Sequence, residues 1–302
     1  MLATTRDFFA QRNVMEVETP LAVACAVTDP HIAAASLLLP GRHEPLPLHT
    51  SPEYAMKRLL AAGSGDIYQL CHVFRGDEQG SLHAPEFTLL EWYRCGFGLQ
   101  RLIGEVEALL QALLPGIAGP AQRCSYSELL REHAGCDALE DSDARLVQCA
   151  AGHGFDDALL RSLDRDGLLD LLMGAWVGPR LGHAQPCFVH SYPASQAALA
   201  RLDPADARVA LRFELYLNGV ELANGFEELG DAAEQRARFM AERARRAACG
   251  QPVPSLDERL LAALASGLPA CSGVAMGFDR LVMQACGARD IGEVLSFLPG
   301  EA

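Results

Sequence analysis

Residues 74–93 read FRGDEQGSLHAPEFTLLEWY, and the fold turns on how they pair. The run EFTLLEWYRC (86–95) has the aromatic and apolar content of a strand, and DIYQLCHVFRG (66–76) before it reads as another. The two predict an antiparallel hairpin across a long loop. Arg75, leaving the first strand, presents a rigid cationic fork suited to a carboxylate and a phosphate together. Phe87 on the return strand can stack on a base. Alone, such a hairpin reads as structural, and its neighbours decide the matter.

Upstream, residues 2–12 have the spacing of an amphipathic helix, VMEVETP (14–20) alternates like a strand that stops at Pro20, and Leu46 to His49 reads as a short strand. TSPEYAMKRLLAAG (50–63) predicts a helix capped by Ser51, with Pro52 and Glu53 in its first turn and Gly63 past its end. Downstream, RLIGEVEALLQALL (101–114) is helical. Residues from about 120 to 186 read as a helical insertion broken at Gly135, Gly152 and Gly154. Strands return in PCFVHSYP, ALRFELYLNGVELANGF and SGVAMGFDRLVMQACG, the last passing into a helix, and 231–248 form a charged helix. Strands paired in sequence with helices grouped between them predict an α+β fold with an antiparallel sheet, as one domain over 1–302.

Bulk composition narrows the function. The chain has 302 residues, half of them hydrophobic, and a formal net charge of −14 from 39 acids against 25 Lys and Arg. That surface disfavours a nonspecific nucleic-acid binder. Its basic residues are mostly Arg, which reads as codon bias. Ten cysteines without a CxxC pattern read as reduced thiols of a cytoplasmic protein. No apolar run reaches the length of a membrane span, and no signal peptide opens the chain.

Two further stretches carry chemistry. In RFELYLNGVELANGFEEL (212–229), Glu214 and Glu221 lie on strands that a turn at Asn218-Gly219 would pair. The two acids suit Mg²⁺, which takes few protein ligands plus phosphate oxygens, or else they are solvated. Glu227 and Glu228 follow, and whichever points inward must find a cation. In GVAMGFDR (273–280), Gly273 and Gly277 admit close backbone approach, and Arg280 opens a helix. Two arginines, two metal-type carboxylates and an aromatic suit ATP with Mg²⁺. A carboxylate substrate needs no general base, so positioning and charge neutralisation dominate.

These stretches resemble the motifs of class II aminoacyl-tRNA synthetases, nearest the lysyl type. EVETP (16–20) is similar to the first motif, FRGDE…HAPEF to the second, and GVAMGFDR to the third, with ELANGF (221–226) between. The first motif is reached by residue 20, with no room for an anticodon-reading OB-fold, and a few helix residues upstream of Met1 are expected in the native start. The chain thus resembles the stand-alone paralogue family that ligates a lysine, naturally (R)-β-lysine, to a lysine of elongation factor P. The resemblance implies a homodimer, and an elongation factor P partner rather than tRNA or a membrane.

It also implies roles. Arg75 would hold the substrate carboxylate and α-phosphate, with Gly76 and Asp77 (or Glu78) at adenine, and His83 near the triphosphate. Phe87 and Arg280 would sandwich the base, with Leu222 and Gly277 beside the nucleotide and Glu214 and Glu221 on Mg²⁺. Glu228 and Tyr93 would take the substrate's side-chain ammonium. Glu53 and Glu91, with Ser51 and Pro52, would lie near its other amino group, and Asn224 would orient the carboxylate. Several positions depart from the family. Gly76-Asp77 stands for Asn-Glu and Ala84 for Asn; Gln196 and Ala275, where lysyl-tRNA synthetases typically have Pro and Gly, instead lean toward the ligase family, the methyl of Ala275 being worth about 1–3 kcal/mol of discrimination at most. Other readings are a minimal ligase acting on RNA or a small amine, and an inactive binding module.

Overall fold

The computed structural model describes residues 1–76, 79–116 and 120–298. The chain forms two compact units, Met1–Gly98 with Glu228–Ala302, and Leu99–Glu227. In the first, helix α1 (Leu2–Ala10) leads to β1 (Met15–Glu16), the short pair β2 (Ser36–Leu37) and β3 (Leu46–Pro47), α2 (Glu53–Ala61), and the hairpin β4 (Ile67–Phe74) and β5 (Glu86–Cys95). The second unit runs through α3 (Leu99–Leu113), β6 (Gln122–Ser125), α4 (Tyr126–His133), α5 (Asp143–Gly152), α6 (Asp157–Ser162) and α7 (Arg165–Leu171) to β7 (Cys187–Pro193), β8 (Val209–Leu217) and β9 (Val220–Glu227). The chain then returns with α8 (Ala232–Ala248), α9 (Glu258–Gly267), β10 (Cys271–Gly277) and α10 (Phe278–Cys286).

In the first unit the strands lie in the order β1-β4-β5-β10, and in the second β9-β8-β7-β6. Most pairings are antiparallel, as the hairpin pattern predicts, and β4 and β5 pair from Ile67↔Tyr93 to Phe74↔Glu86. The edge pairs differ, because β1 runs parallel to β4 and β6 parallel to β7. Parallel neighbours need a long crossover, and α2 lies within the first connection while α4 to α7 lie within the second. The strand expected over 14–20 shortens to two residues. Val17 still donates to Tyr68 O at 2.9 Å, but Pro20 has no N–H to continue the ladder.

Phe9 of α1 is fully buried, stacked on Tyr68 at 4.4 Å between centroids and edge-on to Trp92 at 5.4 Å. Met56 and Leu60 of α2 pack with Ile67, Tyr93 and Cys271, which ties the helix bearing Glu53 to the strands behind it. A second apolar cluster, within Leu99–Glu227, gathers Tyr126, Leu130, Leu146, Leu169 and Val189. Gly135 and Gly154 adopt positive φ just past helices α4 and α5, where the sequence predicts breaks. Three features escape the sequence reading, the first being β6, a strand inside the stretch read as a helical insertion, which pairs with β7. Helix α9, capped by the Asp257 side chain and packed through Leu260, Leu261 and Leu264, follows a proline-rich stretch that masks it. The arginines of α8 are largely engaged within the chain: Arg236 pairs with Glu258, Arg243 reaches Pro254 O, and the buried Arg246 reaches Pro252 O.

Candidate active site

The β5–β10 register sets Tyr93 opposite Gly273 and Glu91 opposite Ala275, so all four occupy one sheet face. A Cβ at position 273 would lie 2.3 Å from the Tyr93 ring and 2.6 Å from Glu228 Oε1, so only glycine leaves room there. Glu228 follows β9 and reaches this face because its N–H bonds Cys271 O at 3.0 Å. Across from it stands the first turn of α2. Pro52, not Ser51, is the N-cap residue. The Ser51 hydroxyl nevertheless accepts the Glu53 N–H at 3.0 Å and donates to the Glu91 carboxylate at 2.7 Å. Tyr93 donates to the other Glu91 oxygen at 2.6 Å.

Of the residues predicted at the amino-acid site, Ser51, Glu53, Glu91 and Tyr93 are linked by hydrogen bonds, Glu228 lies against Gly273 beside Tyr93, Ala275 shares the sheet face of Glu91, and Pro52 caps the helix that carries Glu53. The cation that Glu228 requires is present in the chain itself. Lys57, one helical turn beyond Glu53, sets its Nζ 2.7 Å from Glu53 and 2.6 Å from Glu228. The sequence reading misses Lys57, although a Glu–Lys pair four apart on a helix was a signal for it.

Burial pushes the Glu91 carboxyl up to about 8, reinforced by Glu53 and opposed by the Tyr93 and Ser51 hydroxyls. Burial also raises Glu228, to about 7, against the pull of Lys57. Both groups bind protons more tightly than in the unfolded chain. Their stabilising contribution is therefore present at acid pH and lost as pH rises through about 7 to 8. A ligand bearing two ammonium groups prefers the carboxylates and must displace those protons. Its affinity should rise between pH 6 and 8, by up to about tenfold per pH unit per proton released. Calorimetry in buffers of different ionisation enthalpy checks this, and pH-independent affinity with no proton release would refute it.

Of the residues predicted at the nucleotide, Arg75, Gly76, His83 and Phe87 lie on the β4–β5 hairpin and its loop. Arg75 N–H donates to Pro85 O at 2.9 Å, and the Arg75 guanidinium lies 5.2 Å from the Phe87 ring centre, with Nε 3.4 Å from Thr50 O. Gly76 N–H donates to Ala33 O at 2.8 Å. Arg280, in the first turn of α10 after Gly277, reaches back to the hairpin loop. Its Nε donates to Leu82 O at 3.1 Å, and Nη2 lies 2.6 Å from His83 Nε2. Both arginines therefore attach to one loop. Ala84, where the family has Asn, is buried against Met283 and Ile291. Asp77 and Glu78 lie outside the described residues.

In the other unit, Asn218 and Gly219 both have positive φ, the tight turn their identities predict. Glu214 pairs with Asn224 and Tyr216 with Glu221, across an irregularity at Leu215/Tyr216. Leu222 falls within it. That extra residue brings Glu221 to the same face as Glu214 and Asn224, where regular alternation would have turned it away. Arg212, also missed, lies on this face. It donates to Glu214 and to Asn224 Oδ1 at 3.2 Å, while Tyr216 OH donates to Glu214 at 2.8 Å. Burial works against the Arg212 charge, but Glu214 and Glu221 among its neighbours hold it on. Among the described residues no group of three or more His, Cys, Asp or Glu is placed to hold a metal ion. Two carboxylates fit an ion that arrives on the phosphates of a nucleotide.

The family model for class II tRNA synthetases (D, K and N) matches residues 1–299. The chain is 49% identical over 301 residues to the elongation factor P–(R)-β-lysine ligase of Vibrio cholerae, covering 98% of this chain and 92% of that protein. It is 48% identical to the enzyme of that name from Klebsiella pneumoniae and 47% to that of Avibacterium paragallinarum, with the same coverage. With the family model matching nearly the whole chain and near-complete overlap with these relatives, the chain belongs to the class II tRNA synthetase family, in its elongation factor P–(R)-β-lysine ligase branch.

Proposed function

We propose that the protein uses ATP to activate a lysine-type amino acid, (R)-β-lysine, and passes it to a lysine side chain of elongation factor P. The observation that carries this reading is a cluster of three carboxylates, Glu53, Glu91 and Glu228, in which a single buried ammonium, Lys57, is shared by Glu53 and Glu228. Two negative charges are left for a ligand, and a diamino acid brings two ammonium groups.

In the first step a carboxylate oxygen of the amino acid attacks the α-phosphorus of ATP. The mixed anhydride forms and the bond to pyrophosphate breaks. Arg75 spreads the charge of that transition state, and Arg280 and Phe87 hold the adenine ring. His83 would lie by the triphosphate, and Glu214 and Glu221 would hold the Mg²⁺ that accompanies ATP, which would neutralise phosphate charge. In the second step the acceptor amine attacks the carbonyl, AMP leaves, and the amine loses a proton as the amide forms. The protein works as a cytoplasmic homodimer. Labelled (R)-β-lysine should appear on elongation factor P and not on tRNA when ATP is supplied. Label on tRNA would make the chain a minimal tRNA-charging enzyme, and no adenylate with any lysine isomer would make it a binding module.

A further inference from the structure

The chain contains a single lysine. Of its 25 Lys and Arg residues every one is Arg except Lys57. Wherever a basic side chain serves, this sequence uses a guanidinium, and the exception is the ammonium 1% exposed between Glu53 and Glu228. A planar guanidinium carries its charge over a broad fork, whereas an ammonium is a compact point charge that can sit between two carboxylates at 2.7 and 2.6 Å.

We propose that Lys57 is a positioning residue of the amino-acid site, holding the Glu53 and Glu228 carboxylates in one arrangement and leaving two negative charges for the substrate. This rests on the functional reading above. Without Lys57 the pocket would present three buried acids to a ligand with two ammonium groups, and one acid would take up a proton instead. The groups facing Lys57 and Glu228 are Glu53 on α2, Glu91 and Tyr93 on β5, and Cys271 on β10. The Glu228 carboxylate is held by the Lys57 ion pair and by the backbone of Gly273 beside it, and Lys57 is the only one of the two that carries charge. Burial disfavours the Lys57 charge, yet Glu228 and Glu53 together raise its pKa above the ordinary lysine value.

The test is Lys57→Met, read by amino-acid-dependent pyrophosphate exchange across pH. KM for the amino acid should rise at least about tenfold at pH 7 with KM for ATP unchanged. The pH dependence of the amino-acid KM should move upward, because Glu228 has lost its opposing charge. An unmoved pH profile, or an equal rise in both KM values, would overturn the proposal. A second measurement does not need the variant. Because Lys57 is the only lysine, protein grown with ¹³Cε-lysine gives one side-chain signal. That signal should stay in its ammonium form beyond the free-lysine pKa of about 10.4 and shift on saturation with lysine. Titration at the free value, or no response to the amino acid, would refute the assignment. A wild-type chain inactive with every lysine isomer would instead sink the functional reading, leaving the titration to decide Lys57's pairing.

Discussion

Arg75→Ala should lower amino-acid-dependent pyrophosphate exchange by about 10²–10³ in kcat, the scale on which one fixed charge donor acts on a transition state. Activation of an already ionised carboxylate asks little of general bases and much of charge neutralisation at phosphorus. Arg75 is the residue proposed for that task. Its backbone is pinned by Pro85, its Nε lies by Thr50 O, and its guanidinium faces Phe87. Loss of one of these contacts would cost little stability, so the protein should remain folded by circular dichroism. Arg75→Lys should recover only part of the rate, because an ammonium cannot make the two-pronged contact. A fall of less than about threefold for Arg75→Ala would remove Arg75 from the reacting centre.

Gly273→Ala should close the amino-acid pocket while sparing the nucleotide. The added methyl would meet the buried Tyr93 ring at 2.3 Å and Glu228 at 2.6 Å, and neither can withdraw without disturbing the Glu91 hydrogen bond or the Lys57 ion pair. Overpacking of this kind costs about 1–3 kcal/mol, or roughly 5- to 150-fold in binding. KM for the amino acid should rise by a factor in that range, with ATP affinity within about twofold of wild type. If the methyl were accommodated with no change in KM, the Tyr93–Glu228 wall would not be where the amino acid binds. Ala275, opposite Glu91 on the same face, carries its methyl without such a collision in the register, which accounts for a side chain being tolerated at one position and not the other.

The hairpin, the turn at Asn218-Gly219 and the helix after Pro52 were legible because each depends on local signals: strand-forming residues in alternation, a residue pair that tolerates positive φ, and a proline with an acidic residue at a helix start, although Pro52 caps the helix rather than entering its first turn. The motif arginines were legible for the same reason. Lys57 and Arg212 were not, although both lie near predicted residues. Each earns its role from a partner distant in sequence or from a face shared across strands. Lys57 meets Glu228 only because the β10 register carries Glu228 back to α2, and Glu221 joins Glu214 only because an irregularity in the β8–β9 ladder shifts the alternation by one residue.

Sequence alone therefore determined which neighbouring segments pair and which turns join them, since propensity and motif spacing are properties of neighbouring residues. Tertiary structure alone decided which charges neutralise one another. An ion pair inside a protein is chosen by burial and by long-range register, and both of these exist only once the chain has folded.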